Sequence, residues 1–189
     1  MAGLARLAEK AVRQEGESRG RSNSWRRQAQ GGRRRTRPLR QGALTNVRIR
    51  LAAPQERDAL ESLQWRASLA NEADRPDLEA HPDAIELPEE QIDRGQVLVA
   101  EIDGAIAGFA VVLREEGHAE LDGLFVEPEL WRKGIGAALV EAATHEARNS
   151  GLALMVIANP AARGFYERCG FSLEGEAQTR FGPALRMSR

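Results

Sequence analysis

"LFVEPELWRKGIGAALVEAA", residues 124–143, decides how the chain is read. Leu124-Phe125-Val126 is apolar and β-prone, and from Gly134 onward Ile135, Leu139 and Ala142 recur at helical spacing. A bridge ending Trp131-Arg132-Lys133-Gly134-Ile135-Gly136 joins the two. A helix start leaves about four backbone N–H groups without intrahelical partners and carries the positive end of the helix dipole. Glycines there let a bulky anion approach the backbone, and Arg132 and Lys133 add mobile cations. The combination suits a diphosphate, against the plainer alternative of a helix that begins at Gly beside two solvated cations. A Walker loop is excluded because its lysine follows the last glycine, whereas Lys133 precedes Gly134. A dinucleotide fingerprint is excluded because Leu139 stands where a third glycine is needed and Ala158-Asn159 where an acid is needed.

Upstream, Val47-Arg48-Ile49-Arg50-Leu51 alternates with period two and reads as a strand. Pro54 suits the first turn of a helix with Leu60, Leu63 and Leu69 facing inward. Residues 71–90 are acidic and punctuated by prolines, which makes them a loop with short helical pieces. Gln96–Glu101 and Ala105–Leu113 are apolar runs joined through Asp103-Gly104, a hairpin signal. Ala119–Val126 is a further strand after the Glu115–Gly117 turn. Downstream of the Gly134–Asn149 helix, Leu152–Ala158 is an unbroken apolar run of the kind buried on both faces. Pro160 opens a helix ending near Gly170, and Phe171–Gly175 and Ala184–Ser188 close the chain as strands. Hairpins followed by strand–helix–strand–helix predict a mixed α/β sheet.

The net charge of −1 over 189 residues conceals two unlike parts. Residues 1–45 hold twelve basic and three acidic residues, a net +9, and the remainder carries −10. Apolar periodicity is almost absent between Gln14 and Gln41, so residues 1–45 are expected to be a disordered basic extension and residues 46–189 one domain. "RRQAQGGRRRTRPLR" (26–40) could neutralise phosphates without sequence preference. Glu9, Glu15 and Glu17 argue against a transit peptide. A solvated tail, or a reading frame extended upstream, is the favoured account, so nucleic acid is not the expected partner. No apolar run approaches the roughly 20 residues a membrane helix needs, and the N-terminus lacks the apolar core of a secretory signal. Cys169 is the only cysteine, which points to a reducing, cytoplasmic location.

The chain resembles the GNAT acyl-coenzyme A N-acyltransferases. That family opens a helix with Gln/Arg-x-x-Gly-x-Gly/Ala after a strand, and Trp131-Arg132-Lys133-Gly134-Ile135-Gly136 matches both glycines while Trp131 replaces the first position. "ANPAARGFYERCGF" (158–171) looks like the family's second hallmark. The resemblance covers Val47–Arg189. It implies a mostly antiparallel sheet with a central, splayed parallel strand pair holding acetyl-CoA, and helices on both faces. By resemblance, Leu124, Phe125 and Val126 lie along the pantetheine and acyl group, and Leu124 and Val126 offer backbone groups. Backbone amides of Arg132, Lys133, Gly134, Ile135, Gly136 and Ala137 take the diphosphate, Asn159 contacts the pantetheine arm, and Phe165 belongs to the cofactor wall. Tyr166 is the implied general acid.

Glu120 and Asp122 lie two apart on a strand and share a face, which Leu124 and Val126 should continue. A protonated amine cannot attack a thioester, so a carboxylate must take a proton from it. The family places bases at these two positions; solvated acids on a half-exposed strand are the alternative. His118 and His145 have no ligand-like partners at metal spacing and suit the surface, His81 precedes Pro82 in the acidic loop with its role open, and no metal is expected. No Cys–His–acid constellation calls for covalent catalysis, which favours direct transfer in a ternary complex. By resemblance, acceptor recognition falls to Gln64-Trp65-Arg66 through Glu90, an acid-rich stretch that suits a small-molecule or peptide amine, with an ordinary solvated loop as the equal alternative. A non-catalytic CoA-binding sensor on the same fold is the rival reading, and a homodimer is one of the assembly states left open. Deleting residues 1–45 is expected to leave the melting temperature and CoA affinity nearly unchanged; a loss of several degrees would show instead that the tail docks on the acidic domain.

Overall fold

The structure, a computed structural model, describes residues 47–70, 75, 80–81, 85–179 and 181–189. The basic extension and most of the acidic loop at 71–84 lie outside these residues. Seven strands form one sheet: β1 (Val47–Leu51), β2 (Val97–Ile102), β3 (Ala105–Glu115), β4 (His118–Val126), β5 (Leu154–Ala158), β6 (Ser172–Thr179) and β7 (Gly182–Ser188). Their order is β1-β2-β3-β4-β5-β7-β6, and the β4–β5 pair is parallel while the others are antiparallel. Among the described residues, the helices with defined bounds are α1 (Arg57–Leu69), α2 (Glu89–Asp93), α3 (Ile135–Asn149) and α4 (Arg163–Arg168). Pro54 and Pro160 each begin a 3-10 turn that runs on into α1 or α4, so the proline signals mark these helix entries one turn early.

Two apolar layers sandwich the sheet. On one face Leu60, Leu63 and Ala67 of α1 and Ile92 of α2 pack against Val97, Val99, Phe109, Val111 and Phe125. On the other, Ile135, Leu139, Val140 and Ala143 of α3 and Tyr166 of α4 pack against Leu121, Leu124, Val126, Leu154 and Val156. Helices on both faces, as the resemblance implied, follow from this division. Leu69 and Ala142 are only half-buried, while Gln64 and Ala143 take the inward positions.

Local chemistry fixes several joints. Asp103 (φ 50°) and Gly104 (φ 81°) are both left-handed, which is the tight turn that Asp-Gly favours in a hairpin. Arg50 bonds both oxygens of Glu56 at 2.7 and 2.8 Å and Glu101 at 2.8 Å, tying β1 to the α1 entry and to β2. The Arg50 guanidinium holds the Glu56 carboxyl below its usual range. That contribution to stability is present above the ordinary carboxylate pKa and is lost as the pH falls through the depressed one.

Two features differ from the sequence reading. β5 is buried on one face only: Leu154, Val156 and Ala158 are covered, while Met155 and Ile157 are half-exposed. α3 and α4 cover the first face, whereas α1 is centred on β4 and β3. The second difference is a bulge in β4. Val112 pairs with Leu121 and Val111 with Gly123, so Asp122 is an extra residue that the β3 ladder does not match. Ala119 and Leu121 lie on the α3 face before the bulge, and Leu124 and Val126 after it. Glu120 therefore faces α1, opposite Leu124 and Val126, Asp122 sits at the bulge between them, and the single shared face expected from simple alternation does not exist.

Close approach constrains one glycine. A Cβ on Gly108 would stand 2.6 Å from the Phe125 carbonyl oxygen and 3.2 Å from the Val126 Cα, both backbone atoms. Gly108→Ala is expected to destabilise the fold by about 1–3 kcal/mol through forced displacement of β4, read by thermal and urea unfolding. An unchanged melting temperature would contradict this packing.

Candidate functional site

The β4–β5 pair is joined at Ala119↔Leu154 and Glu120↔Met155, and the two strands part beyond. The Ala119 N–H bonds the Ala153 carbonyl at 2.9 Å, so that residue's polar groups face β5. The Glu127 N–H bonds the Ala107 carbonyl at 3.0 Å, which turns residue 127 toward β3. Strand alternation then directs the backbone groups of Leu124 and Val126 into the gap that β5 has vacated. An open strand edge in the middle of a sheet is a place for an extended, amide-bearing ligand to complete the ladder.

Just beyond the gap lies the loop quoted at the outset. Pro128–Leu130 form a 3-10 turn. The Trp131 indole N–H donates to the Val126 carbonyl at 2.8 Å, pinning the loop to the end of β4. Arg132 (φ 64°) and Gly134 (φ 88°) are both left-handed. A left-handed arginine is strained backbone, and such strain gathers where a loop is shaped for a ligand. Gly134 is the N-cap of α3, and the first helical bond to its carbonyl comes from the Ala138 N–H at 3.0 Å. The N–H groups of Ile135, Gly136 and Ala137 therefore have no intrahelical acceptor. A Cβ on Gly134 would meet nothing within 4 Å, so open space lies beside the backbone there. The exposed Arg132 and Lys133 flank it.

α4 closes the far side. A Cβ on Gly136 would lie 3.4 Å from the Phe165 ring and 3.9 Å from Val126 Cγ2, which brings the α3 start, α4 and the end of β4 together. Tyr166 is 4% exposed and edge-on to Phe165 and Phe171 at 5.0 and 5.4 Å between centroids. Burial pushes its phenol well above the ordinary tyrosine value. The Asn159 Oδ1 accepts the Ala161 N–H at 2.8 Å, capping the 3-10 turn. That leaves the Asn159 amide nitrogen as its outward donor.

Glu120, on the α1 side of β4, is 6% exposed and Asp122, at the bulge, 1%, so both are interior groups and the half-exposed alternative fails. The same layer holds Gln64 and Ser68, one helical turn apart and both buried. Gln64 opens the region the sequence reading assigned to the acceptor, and its place four residues after Leu60 and three before Ala67 puts it on the inward face. Arg66, on the rim of α1, bonds both oxygens of Glu127 at 2.5 and 3.2 Å and so joins α1 to the start of the loop. The Arg66 guanidinium is stabilised in its charged form by that bond.

Other conspicuous residues stand apart. Cys169 is half-buried, and burial raises its thiol pKa, which keeps it a packing group. His145 bonds Asn149 on the α3 surface, and His81 stands edge-on to Phe181 at 5.8 Å. A pocket lined by Gly95, Gln96, Val112, Arg114, Glu146 and Leu152 lies toward the opposite end of β4 from the gap and includes none of the expected site residues. Among the described residues no helix is long and apolar enough to cross a membrane.

A model of the acetyltransferase (GNAT) family matches residues 58–171, and the chain belongs to that family. No curated protein sequence matches it significantly. Among solved structures it is similar to the PaiA N-acetyltransferase of Thermoplasma acidophilum in complex with coenzyme A, at 22% identity and TM-score 0.60, over 77% of this chain and 99% of that one. It is similar to YncA, a putative acetyltransferase from Salmonella typhimurium with acetyl-CoA, at 19% identity and TM-score 0.55, over 77% and 94%. The ribosomal-protein-S18-alanine N-acetyltransferase of Escherichia coli shares 24% identity at TM-score 0.54, over 76% and 92%. At these identities the likeness establishes the shared fold.

Gly136→Val is expected to abolish CoA binding measured by calorimetry while circular dichroism stays native, because its branched side chain would crowd the space between Phe165 and the open helix start. Unchanged affinity with an intact spectrum would contradict the cradle.

Proposed function

We propose that this chain is an N-acetyltransferase that transfers an acetyl group from acetyl-CoA directly to an amine, on a small molecule or a peptide. The observation that carries the reading is the parting of β4 and β5 after Glu120↔Met155, with the open α3 start at its mouth, Tyr166 on one face, Glu120 on the other and Asp122 at the bulge between. Residues 46–189 form the catalytic domain in this reading, and residues 1–45 are accessory. The single cysteine suits a reducing compartment such as the cytoplasm.

Acetyl-CoA supplies an activated thioester. In the proposed arrangement the N–H groups of Ile135, Gly136 and Ala137, with Arg132 and Lys133, hold the diphosphate, and the gap-facing backbone of Leu124 and Val126 holds the pantetheine. The Val126 carbonyl is already taken by Trp131, so its N–H and the polar groups of Leu124 are the remaining contacts. Phe125 faces α1 and contributes packing instead. Phe165 and the Asn159 amide close the α4 side.

Glu120 or Asp122 removes a proton from the acceptor ammonium, directly or through water. The freed nitrogen forms a C–N bond to the acyl carbon as the C–S bond breaks and sulfur leaves with the electron pair. The bulge then has a use: it leaves Glu120 on the acceptor side of β4 while the next residues turn their backbone to the gap. Tyr166 donates its O–H to the departing sulfur. Its raised pKa keeps that proton in place to high pH, and makes full transfer to a thiolate of ordinary pKa about 8.5 uphill. Its effect therefore falls in the transition state, where sulfur carries developing charge.

Tyr166→Phe keeps the ring and removes the donor, and is expected to lower turnover about 10²–10⁴-fold, roughly 3–5 kcal/mol of barrier, with CoA affinity little altered. Turnover within about threefold of wild type, once chemistry limits the rate, would remove Tyr166 from the mechanism. Glu120→Gln and Asp122→Asn are expected to differ, one of them abolishing the acidic limb of the pH–rate profile. Two unaltered profiles would rule out both carboxyls as the base.

A further inference from the structure

We infer that Gln64 reads the acceptor's primary ammonium, its Oε1 accepting one N–H from it; this rests on the proposed acetyl transfer. Gln64 is 1% exposed, and its Oε1 is buried with no hydrogen-bond partner among the described residues. A sealed amide oxygen without a donor bears its full desolvation cost. An apolar side chain of similar size would fill this inward helix position without that cost, so the oxygen has a use that the substrate-free chain does not show.

Its surroundings identify the missing donor. α1 packs over β4, and Glu120, Gly123 and Phe125 face it on either side of the bulge at the buried Asp122. The layer thus combines the Glu120 carboxyl with an amide oxygen and the Ser68 hydroxyl, with the Asp122 carboxyl at the adjoining bulge, a set rich in acceptors. A primary ammonium brings three N–H donors on one centre, whereas a hydroxyl brings one and a protonated secondary amine two. With Gln64 holding one N–H, the carboxyl side of the layer remains for the proton that must leave. Because Oε1 is sealed, entry of the ammonium displaces α1 from β4, and the hydrogen bond formed offsets that movement. The site therefore selects primary amines over alcohols and secondary amines.

The test uses the full chain with ¹⁵N-labelled glutamine and saturating CoA, titrated with n-butylammonium and Ala-Ala-Ala, with n-butanol and diethylammonium as controls. The Gln64 side-chain amide is expected to shift with at least one primary ammonium and with neither control. Gln64→Met is expected to raise the melting temperature by roughly 2–4 °C, since the unpaired oxygen is gone. It should also raise the acceptor KM about 10–100-fold while leaving kcat and CoA affinity near wild type. Gln64→Glu keeps an acceptor oxygen and should hold KM close to wild type. No Gln64 shift with either primary ammonium overturns the inference. So does a Gln64→Met variant with a lower melting temperature and an unchanged KM, which would mark Gln64 as structural. Should Gln64→Met fail to fold, the labelled-amide titration decides alone. A Gln64 shift without acetyl transfer from acetyl-CoA to either primary amine would retain the inference and sink the proposed activity, whereas transfer with KM indifferent to Gln64→Met would do the reverse.

Discussion

Ala119↔Leu154 and Glu120↔Met155 are the pairings that join β4 to β5, and the rest of the site depends on where they stop. Had the parallel ladder continued, the backbone groups of Leu124 and Val126 would be satisfied within the sheet and no edge would be open at its centre. β5 is instead held by β7, from Met155↔Ser188 to Ala158↔Leu185, and that antiparallel partner draws it away from β4. The wedge between them is lined by Val126, Gly136 and Phe165, and the unpaired amides of the α3 start stand at its mouth. Unpaired amides at a helix end and an open strand edge are costly in a closed interior, and a ligand carrying both phosphates and amides would satisfy both.

The bulge at Asp122 is the second constraint. One extra residue, Asp122, reverses the alternation of β4, so the strand presents Glu120 to α1 before it and turns Leu124 and Val126 to α3 after it. A regular strand would have put Glu120, Asp122, Leu124 and Val126 on one face, with donor and acceptor competing for the same space. The bulge separates them across the sheet, and the Arg66–Glu127 pair ties α1 to the loop that follows.

Much of this was legible in the sequence because it rests on local chemistry. Gly134 and Gly136 at a helix start, Asp103-Gly104 in a hairpin and the Leu60/Leu63 face of α1 each follow from the conformations that those residues allow, and the family motifs fixed the parallel pair. What escaped depends on register and on long-range contact. Residue types in β4 give no sign of the extra residue at Asp122, since a bulge is set by pairing with β3. The Trp131 indole bond to Val126 substitutes an internal clasp for the family's polar first position, and only the folded loop reveals it. β5 appeared buried on both faces because its apolar run is continuous, yet among the described residues Met155 and Ile157 stay half-exposed on the side away from α3 and α4. Gln64 was legible as the start of the acceptor region, but its buried oxygen, unpartnered among the described residues, depends on how α1 packs on β4.

The central claim is that acyl-CoA occupies the β4–β5 gap along the backbone of Leu124 and Val126 with its diphosphate on the α3 start. Amide hydrogen exchange resolved by residue, with and without CoA, tests this most directly. The account predicts that CoA slows exchange at Leu124, Val126, Ile135, Gly136 and Ala137, whose N–H groups have no ladder or helix acceptor in the free chain. CoA binding that leaves these five amides unchanged, and protects residues elsewhere instead, would contradict it.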